Sequence, residues 1–275
     1  MTLRRRALRE RLTALAPIGD AGIALAATAL AVAALDHPSA EPGDYLDHFD
    51  RLAEDLAAVL PLAADRPAAL ALVMAGRHRY RGDERDDDDL ATTSLIRVID
   101  NRRGVAQALG IIGLEAARRA GWSVEALSFP HGFLLRLEDG DGNRAIIDPA
   151  AGWRPVAIPE LRARLKAAAG LDAELQPAHY VALDNRAILL RLQNESKNRL
   201  LRSGEVARAV TVVETSLLFA PDAAALWREA GLMHMRLDNS AKAVAAFEQF
   251  VRRTTDCEAR RRALLQLQEL KGRPH

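Results

Sequence analysis

The stretch SFPHGFLLRLEDGDGNRAIIDP, residues 128–149, sets His131 at the mouth of one apolar run and Asp148 at the end of the next, with turn-rich EDGDGN between them. Phe133, Leu135 and Leu137 alternate with other residues, and Ala145 to Ile147 follow after the turn. Val124 and Ala126 show the same period just upstream. Alternation broken by Asp-Gly-Asp-Gly-Asn chemistry predicts a short antiparallel meander. A histidine and an aspartate on its strands are two members of a nucleophile–histidine–acid site. The nucleophile must come from elsewhere.

Immediately before the meander, GVAQALGIIGLEAARRAGW, residues 104–122, predicts a buried helix despite Gly110 and Gly113, each of which weakens it by up to about 1 kcal/mol relative to alanine. Glycines three apart let another element approach closely. After the meander, Trp153 and Pro155 are expected to leave the sheet, and helical periodicity returns from Pro159.

The front of the chain reads as helical. Residues 44–59 place Tyr45, Phe49, Leu52, Leu56 and Val59 three and four apart, the period of an amphipathic helix. Pro67 opens a further apolar segment through Met74, where a first-turn proline is tolerated. Ala21 to Leu35, AGIALAATALAVAAL, follows the arginine-rich LRRRALRERL and so imitates a signal peptide. Asp20 interrupts the approach, the run falls short of the roughly twenty residues of a membrane span, and no A-x-A-like cleavage site follows. It is expected to be a buried core helix, and the arginines a solvated first helix carrying Leu3, Leu8, Leu12 and Leu15 on one side.

Composition narrows the function. Thirty-eight basic residues against thirty-seven acidic leave a formal charge of +1, and aromatic residues are 4% of the chain. Neither a field that draws nucleic acid nor a base-stacking platform is available. With no other long apolar run, the expectation is a cytoplasmic protein without membrane or nucleic-acid partners. The single cysteine, Cys257, excludes an intrachain disulfide framework. Asp86 to Asp89 lack the alternating ligands and glycine of a calcium loop, so they read as a solvated loop favouring the next helix N-terminus. No metal or cofactor is expected.

RVIDNRRG (97–104), EAARRAGW (115–122), SFPHGFLLRL (128–137) and IIDP (146–149) resemble the core of the SirB-type transglutaminase-like family, with its RRG segment, helix, FPGHF segment and I-D-P strand end. The resemblance covers roughly residues 20–185 and brings the expectation of a tetratricopeptide-like tail. It implies a papain/transglutaminase-like fold in which a cysteine begins the helix while histidine and aspartate lie on neighbouring strands.

Two departures matter. The cysteine position of the G-x-C pattern is Ala106, and alanine offers no thiol for the helix dipole or an imidazole to activate. Ser94 and Ser123 fall outside that slot, and Cys257 lies far downstream. The family's FPGHF reads FPHGF, with Gly132 in the histidine position and His131 displaced by one. In a strand, that displacement turns a side chain to the other face unless a bulge at Gly132 restores the contact. The alternative to a residual catalytic pair is structural, with His131 held by backbone bonds and Asp148 capping a turn.

The tail repeats with a period of about 34 residues: Ala209 matches Ala243, Val213 matches Phe247, and Pro221 closes the first unit before Trp227 and Gly231 open the second. A final helix is expected over Glu258 to Leu270. Two repeats are fewer than the three or so that bury a continuous core, so they should lean on neighbouring structure. The inward positions are Arg191, Asn194, Asn198 and Arg202, then Arg228, Leu232, Met235 and Arg236. Arginine forks suit carboxylates, which suggests a protein or acidic-peptide ligand; alternatively the arginines pair with acidic residues of the front domain.

The whole reads as an α+β protein: a basic N-terminal helix or arm (1–19), a transglutaminase-like domain with a helical front and a helix-plus-antiparallel-sheet core (20–185), and an all-α tail of two repeats with a capping helix (186–275). The expected function is a non-catalytic interaction or regulatory protein, a bacterial pseudoenzyme. The alternative is a cysteine-independent hydrolase or acyl transferase.

Overall fold

The computed structural model describes residues 2–83, 89–130, 132–139 and 142–272. They fall into two compact units, Asp20–Leu192 and Met1–Gly19 with Gln193–His275. The chain opens with α1 (Leu3–Thr13), which belongs to the smaller unit. It is capped by the Thr2 hydroxyl and buries Leu8 and Leu12, while Leu3 is exposed.

In the larger unit, the alanine-rich run forms α2 (Leu25–Ala34), buried along nearly its whole length. Its small side chains leave room for α3 (Pro42–Val59), which turns His48, Phe49, Leu52, Ala53 and Leu56 inward at helical spacing. Asp65 caps α4 (Arg66–Ala71) by accepting from the Ala68 N–H at 2.7 Å, and the helix continues as a π-helical turn, Leu72–Arg77. Then come β1 (Arg81–Gly82), α5 (Leu95–Asn101), β2 (Arg103–Gly104) and α6 (Ala106–Arg119). β1 and β2 pair in parallel, Arg81 opposite Arg103, which draws Tyr80 beside the end of α5.

The meander is β3 (Ser123–Ala126), β4 (Leu135–Glu138) and β5 (Arg144–Asp148), continued by β6 (Arg154–Pro155) in one antiparallel sheet ordered β3-β4-β5-β6. Pro155 therefore stays in the sheet, opposite Ile147, where departure was expected. β6 is an edge strand, and an edge tolerates a residue without an N–H. The outer edge of β3 is covered by the chain around Ala182: the Ser128 N–H donates to the Val181 carbonyl and the Leu183 N–H to that of Ala126, both at 2.8 Å.

The two glycines of α6 face aromatic rings. A Cβ on Gly110 would stand 2.3 Å from the Phe133 ring, and one on Gly113 would stand 2.2 Å from that of Trp153. The close approach read from their spacing is thus made by these two rings. Trp153 is fully buried and donates its indole N–H to the Tyr80 carbonyl at 3.2 Å. After the sheet, α7 (Ile158–Ala169) packs Leu161 and Leu165 with Leu127, Phe129, Leu134 and Val156.

The unit boundary falls within α8 (Asn185–Arg202), followed by α9 (Val206–Phe219), α10 (Ala224–Arg236), α11 (Ser240–Arg253) and α12 (Cys257–Gly272). Successive helices from α9 to α12 pack on one another, and α1 packs on α9. The period of the tail is visible in its core, where Ala209 and Ala243 are fully buried, as are Val213 and Phe247. Gly231 lets the Phe247 ring lie against α10, since a Cβ there would be 3.0 Å from it, and the Trp227 indole N–H donates to the Pro221 carbonyl at 2.7 Å. Among the described residues, no helix is long and apolar enough to cross a membrane.

Candidate functional site

Ala106 is the first residue of α6, directly after the N-cap Val105, and no side chain caps this end. Val105 is tied back by its N–H to the Thr92 carbonyl at 2.9 Å. A methyl thus occupies the spot where the helix dipole would act on a thiol. Ser94 lies before α5, and Ser123 opens β3.

The FPHGF segment is not a regular strand. β3 ends at Ala126 and β4 starts at Leu135, with Leu127 bridged to Ala182 and its N–H bonded to the Leu134 carbonyl. Gly132 has φ +93° and faces open space, a backbone conformation natural to glycine. The two-face alternation argument therefore does not apply to Phe129, Pro130, Gly132 and Phe133, which are outside any strand. His131 itself lies outside the described residues.

Asp148 is at the end of β5 and only 7% exposed. Its Oδ1 accepts from the Ala150 N–H at 2.9 Å and the Ala151 N–H at 3.1 Å, and its Oδ2 from Arg164 Nη1 at 2.6 Å. The backbone bonds hold the turn after Pro149, and Arg164 neutralises the charge. Arg164 also reaches Glu160 at 2.7 Å, and Arg154 clasps the same carboxylate from the other side. The hydrogen bonds from Arg154 and Arg164 hold Glu160 down at about 2. The carboxylate that the sequence singled out is thus engaged in stabilising a turn and an ion-pair chain.

The eight proposed groove positions fall in both units. Arg191 belongs to the larger unit and donates Nη1 to the Phe129 carbonyl at 2.9 Å, and burial pushes its guanidinium below the ordinary range. Leu232 and Met235 are half-buried and pack against the cluster of Ala243, Phe247, Phe250, Ala263, Leu267 and Leu270. Asn194, Arg202, Arg228 and Arg236 are exposed and Asn198 is half-buried. Within the tail, buried Lys197 pairs with Glu229 at 2.7 Å.

A second polar centre, unread in the sequence, lies among α3, the π-helical turn, Tyr80 and the end of α5. His48, 5% exposed, has Nε2 at 2.7 Å from the Tyr80 hydroxyl and receives Arg102 Nη1 at 2.8 Å. Arg102 also donates to the Tyr80 hydroxyl, and its guanidinium carbon stands 4.9 Å from the centre of that ring. The His78 ring lies edge-on to His48 at 5.6 Å, with its Nε2 2.6 Å from Asp55 Oδ2. Burial, then Arg102 and His78, lower His48 to about 4. Burial raises the Tyr80 hydroxyl against the pull of Arg102. His48 is therefore neutral and accepts at Nε2. One signal was visible beforehand: His48 occupies the apolar face of α3, next to Phe49. Elsewhere, His37 Nε2 lies 3.0 Å from Ser94 Oγ, and burial, followed by Arg97, lowers that imidazole.

Residues 43–194 match the family described as the transglutaminase-like superfamily, and residues 197–268 match the tetratricopeptide repeat. The first match spans more than half of the chain. The chain belongs to the transglutaminase-like superfamily. It is similar to a UPF0162 protein of Xylella fastidiosa strain Temecula1, 27% identical over 247 residues that cover 86% of each chain. UPF0162 protein YchA of Escherichia coli K12 is 29% identical over 219 residues, 78% of this chain and 80% of that one. Protein SirB1 of Salmonella typhimurium is 28% identical over 157 residues, 57% and 58% of the two chains. The order of the two matched regions and these relatives make the chain one of SirB type.

Proposed function

We propose that this protein is a non-catalytic interaction or regulatory protein of the cytoplasm, in which a degenerate transglutaminase-like domain accompanies a peptide-binding repeat tail. A transglutaminase-like domain followed by tetratricopeptide repeats suits a protein-interaction role. The observation that carries the reading is Ala106 at the first residue of α6. Covalent acyl transfer loses several orders of magnitude when its nucleophile is removed. The occupation of Asp148 by Arg164 and two backbone amides supports the same conclusion.

Within the tail, the ligand class is an acidic or C-terminal peptide held by Asn194, Asn198, Arg202, Arg228 and Arg236. Arg228 and Arg236 supply exposed forks one helical face apart on α10. The test is fluorescence anisotropy with a set of labelled peptides ending in acidic residues, comparing the native chain with Arg228→Glu/Arg236→Glu. The expected result is saturable binding that the double variant loses, by about 2 to 5 kcal/mol if the site is desolvated. Exposed charges contribute under about 1 kcal/mol to stability, so the melting temperature should hold. A large drop in melting temperature with binding unchanged would assign these arginines to the scaffold.

The second reading, a cysteine-independent hydrolase or acyl transferase, has one observation in its favour: the Ser94 hydroxyl makes no cap for α5 and instead meets the His37 imidazole at 3.0 Å.

A further inference from the structure

Several half-buried guanidinium groups among the described residues are matched to oxygen acceptors. Arg103 reaches Asp83, Arg136 reaches Glu125 and Arg164 reaches Asp148 and Glu160, while Arg66 and Arg191 rest on the Glu138 and Phe129 carbonyls. Arg102 is also half-buried, yet its guanidinium has neither a carboxylate nor a carbonyl partner among the described residues. Its acceptors are an imidazole nitrogen and a phenol, both neutral.

A guanidinium removed from water needs a counter-charge to offset lost hydration. The Tyr80 face and the two hydrogen bonds orient the fork and use one of its nitrogens, Nη1. The surroundings add to the positive field, for Arg51 as well as Arg102 acts on His48. Of the carboxylates acting on these groups, Asp55 is taken by His78 and Arg77, and Asp100, which acts on Tyr80, accepts from the Tyr45 hydroxyl at 3.3 Å. The backbone of Arg102 is left-handed, φ 57°, directly after α5, a conformation uncommon outside glycine, asparagine and aspartate. Such a conformation persists where its surroundings over-determine it and is often found at ligand clamps.

We propose that Arg102, framed by His48 and Tyr80, anchors a binding site for an oxyanion, the carboxylate or phosphate group of a small ligand. The arrangement has the elements such a site requires: a pre-oriented fork, a phenol that can turn its hydroxyl, and an imidazole held neutral until an anion arrives. The site is independent of the repeat tail and of Ala106, so it stands or falls apart from the proposed function.

The test uses the full chain. Imidazole resonances of His48 and His78 and the Arg102 Nε–H resonance are followed by NMR during titration with acetate and, separately, inorganic phosphate, against chloride at matched ionic strength. The expected result is a saturable change in the His48 and Arg102 resonances with at least one of the two anions, accompanied by a rise in melting temperature that follows ligand concentration. Saturation with acetate alone assigns a carboxylate, and with phosphate alone a phosphate. Arg102→Asn, which suits the left-handed backbone, should weaken binding by about tenfold or more. If Arg102→Asn does not fold, the native titration decides. Resonance changes that never saturate, or that match those in chloride, would overturn the site; so would saturation unchanged in folded Arg102→Asn.

Discussion

At the start of α6 and the end of β5, Ala106 contributes a methyl and Asp148 gives its carboxylate to Arg164 and two backbone amides. Between α3 and the end of α5, His48, Tyr80 and Arg102 instead share one set of hydrogen bonds around a guanidinium that has no carboxylate hydrogen-bond partner among the described residues. The first place has the architecture of a reactive site and quiet chemistry. The second has no motif for a reactive site, yet burial and neighbouring charge shift His48 and Tyr80 well away from their ordinary ranges. The difference teaches that packing and polar chemistry are set separately: Phe133 and Trp153 lie on the glycines of α6 with a methyl at the helix start.

The largest expected effect bears on the second centre. His48 is held neutral in the fold, at about 4, against 6.5 for the free side chain. The unfolded chain therefore binds the proton first as pH falls. Stability should be at its full value above about pH 6.5 and decline toward pH 4, by up to about 3 kcal/mol, since each tenfold difference in proton affinity between the folded and unfolded chains corresponds to about 1.4 kcal/mol. Urea denaturation at a series of pH values reads this directly. His48→Gln should flatten that part of the profile, and a native profile as flat as that of the variant would remove the tension ascribed to this centre.

Why one centre was legible and the other was not follows from distance along the chain. The helix with Gly110 and Gly113, the period-two strands and the repeat of Ala209 with Ala243 depend on neighbours a few residues apart, so periodicity displays them. Phe133 and Trp153 as the partners of the two glycines could not be named, only that something would approach. His48, Tyr80 and Arg102 come from separate elements 22 to 54 residues apart, and their meeting depends on the parallel β1–β2 pairing, two residues long. Pro155 misled because a proline marks either the end of a strand or an edge strand, and only the register with Ile147 distinguishes them.

A smaller effect sharpens the first centre. Ala106→Cys places a thiol at the first residue of a helix of 14 residues, where the dipole favours the thiolate by about 0.3 to 1 kcal/mol. Iodoacetamide alkylation against pH should give a pKa modestly below the usual 8.5 or so, with a negligible change in stability. A value at or above that of free cysteine would show that the start of α6 does not present its dipole to residue 106, and the contrast between intact scaffold and missing group would lose its basis.

The central claim is that the transglutaminase-like unit performs no covalent acyl transfer, and intact-protein mass spectrometry during incubation with an activated ester and a glutamine-containing peptide, with a primary amine as acceptor, addresses it most directly. The account predicts no acyl adduct on the native chain and no amine incorporation above the rate without protein. An adduct or turnover that disappears in Ser94→Ala, His131→Ala or Asp148→Asn would contradict it and establish an enzyme.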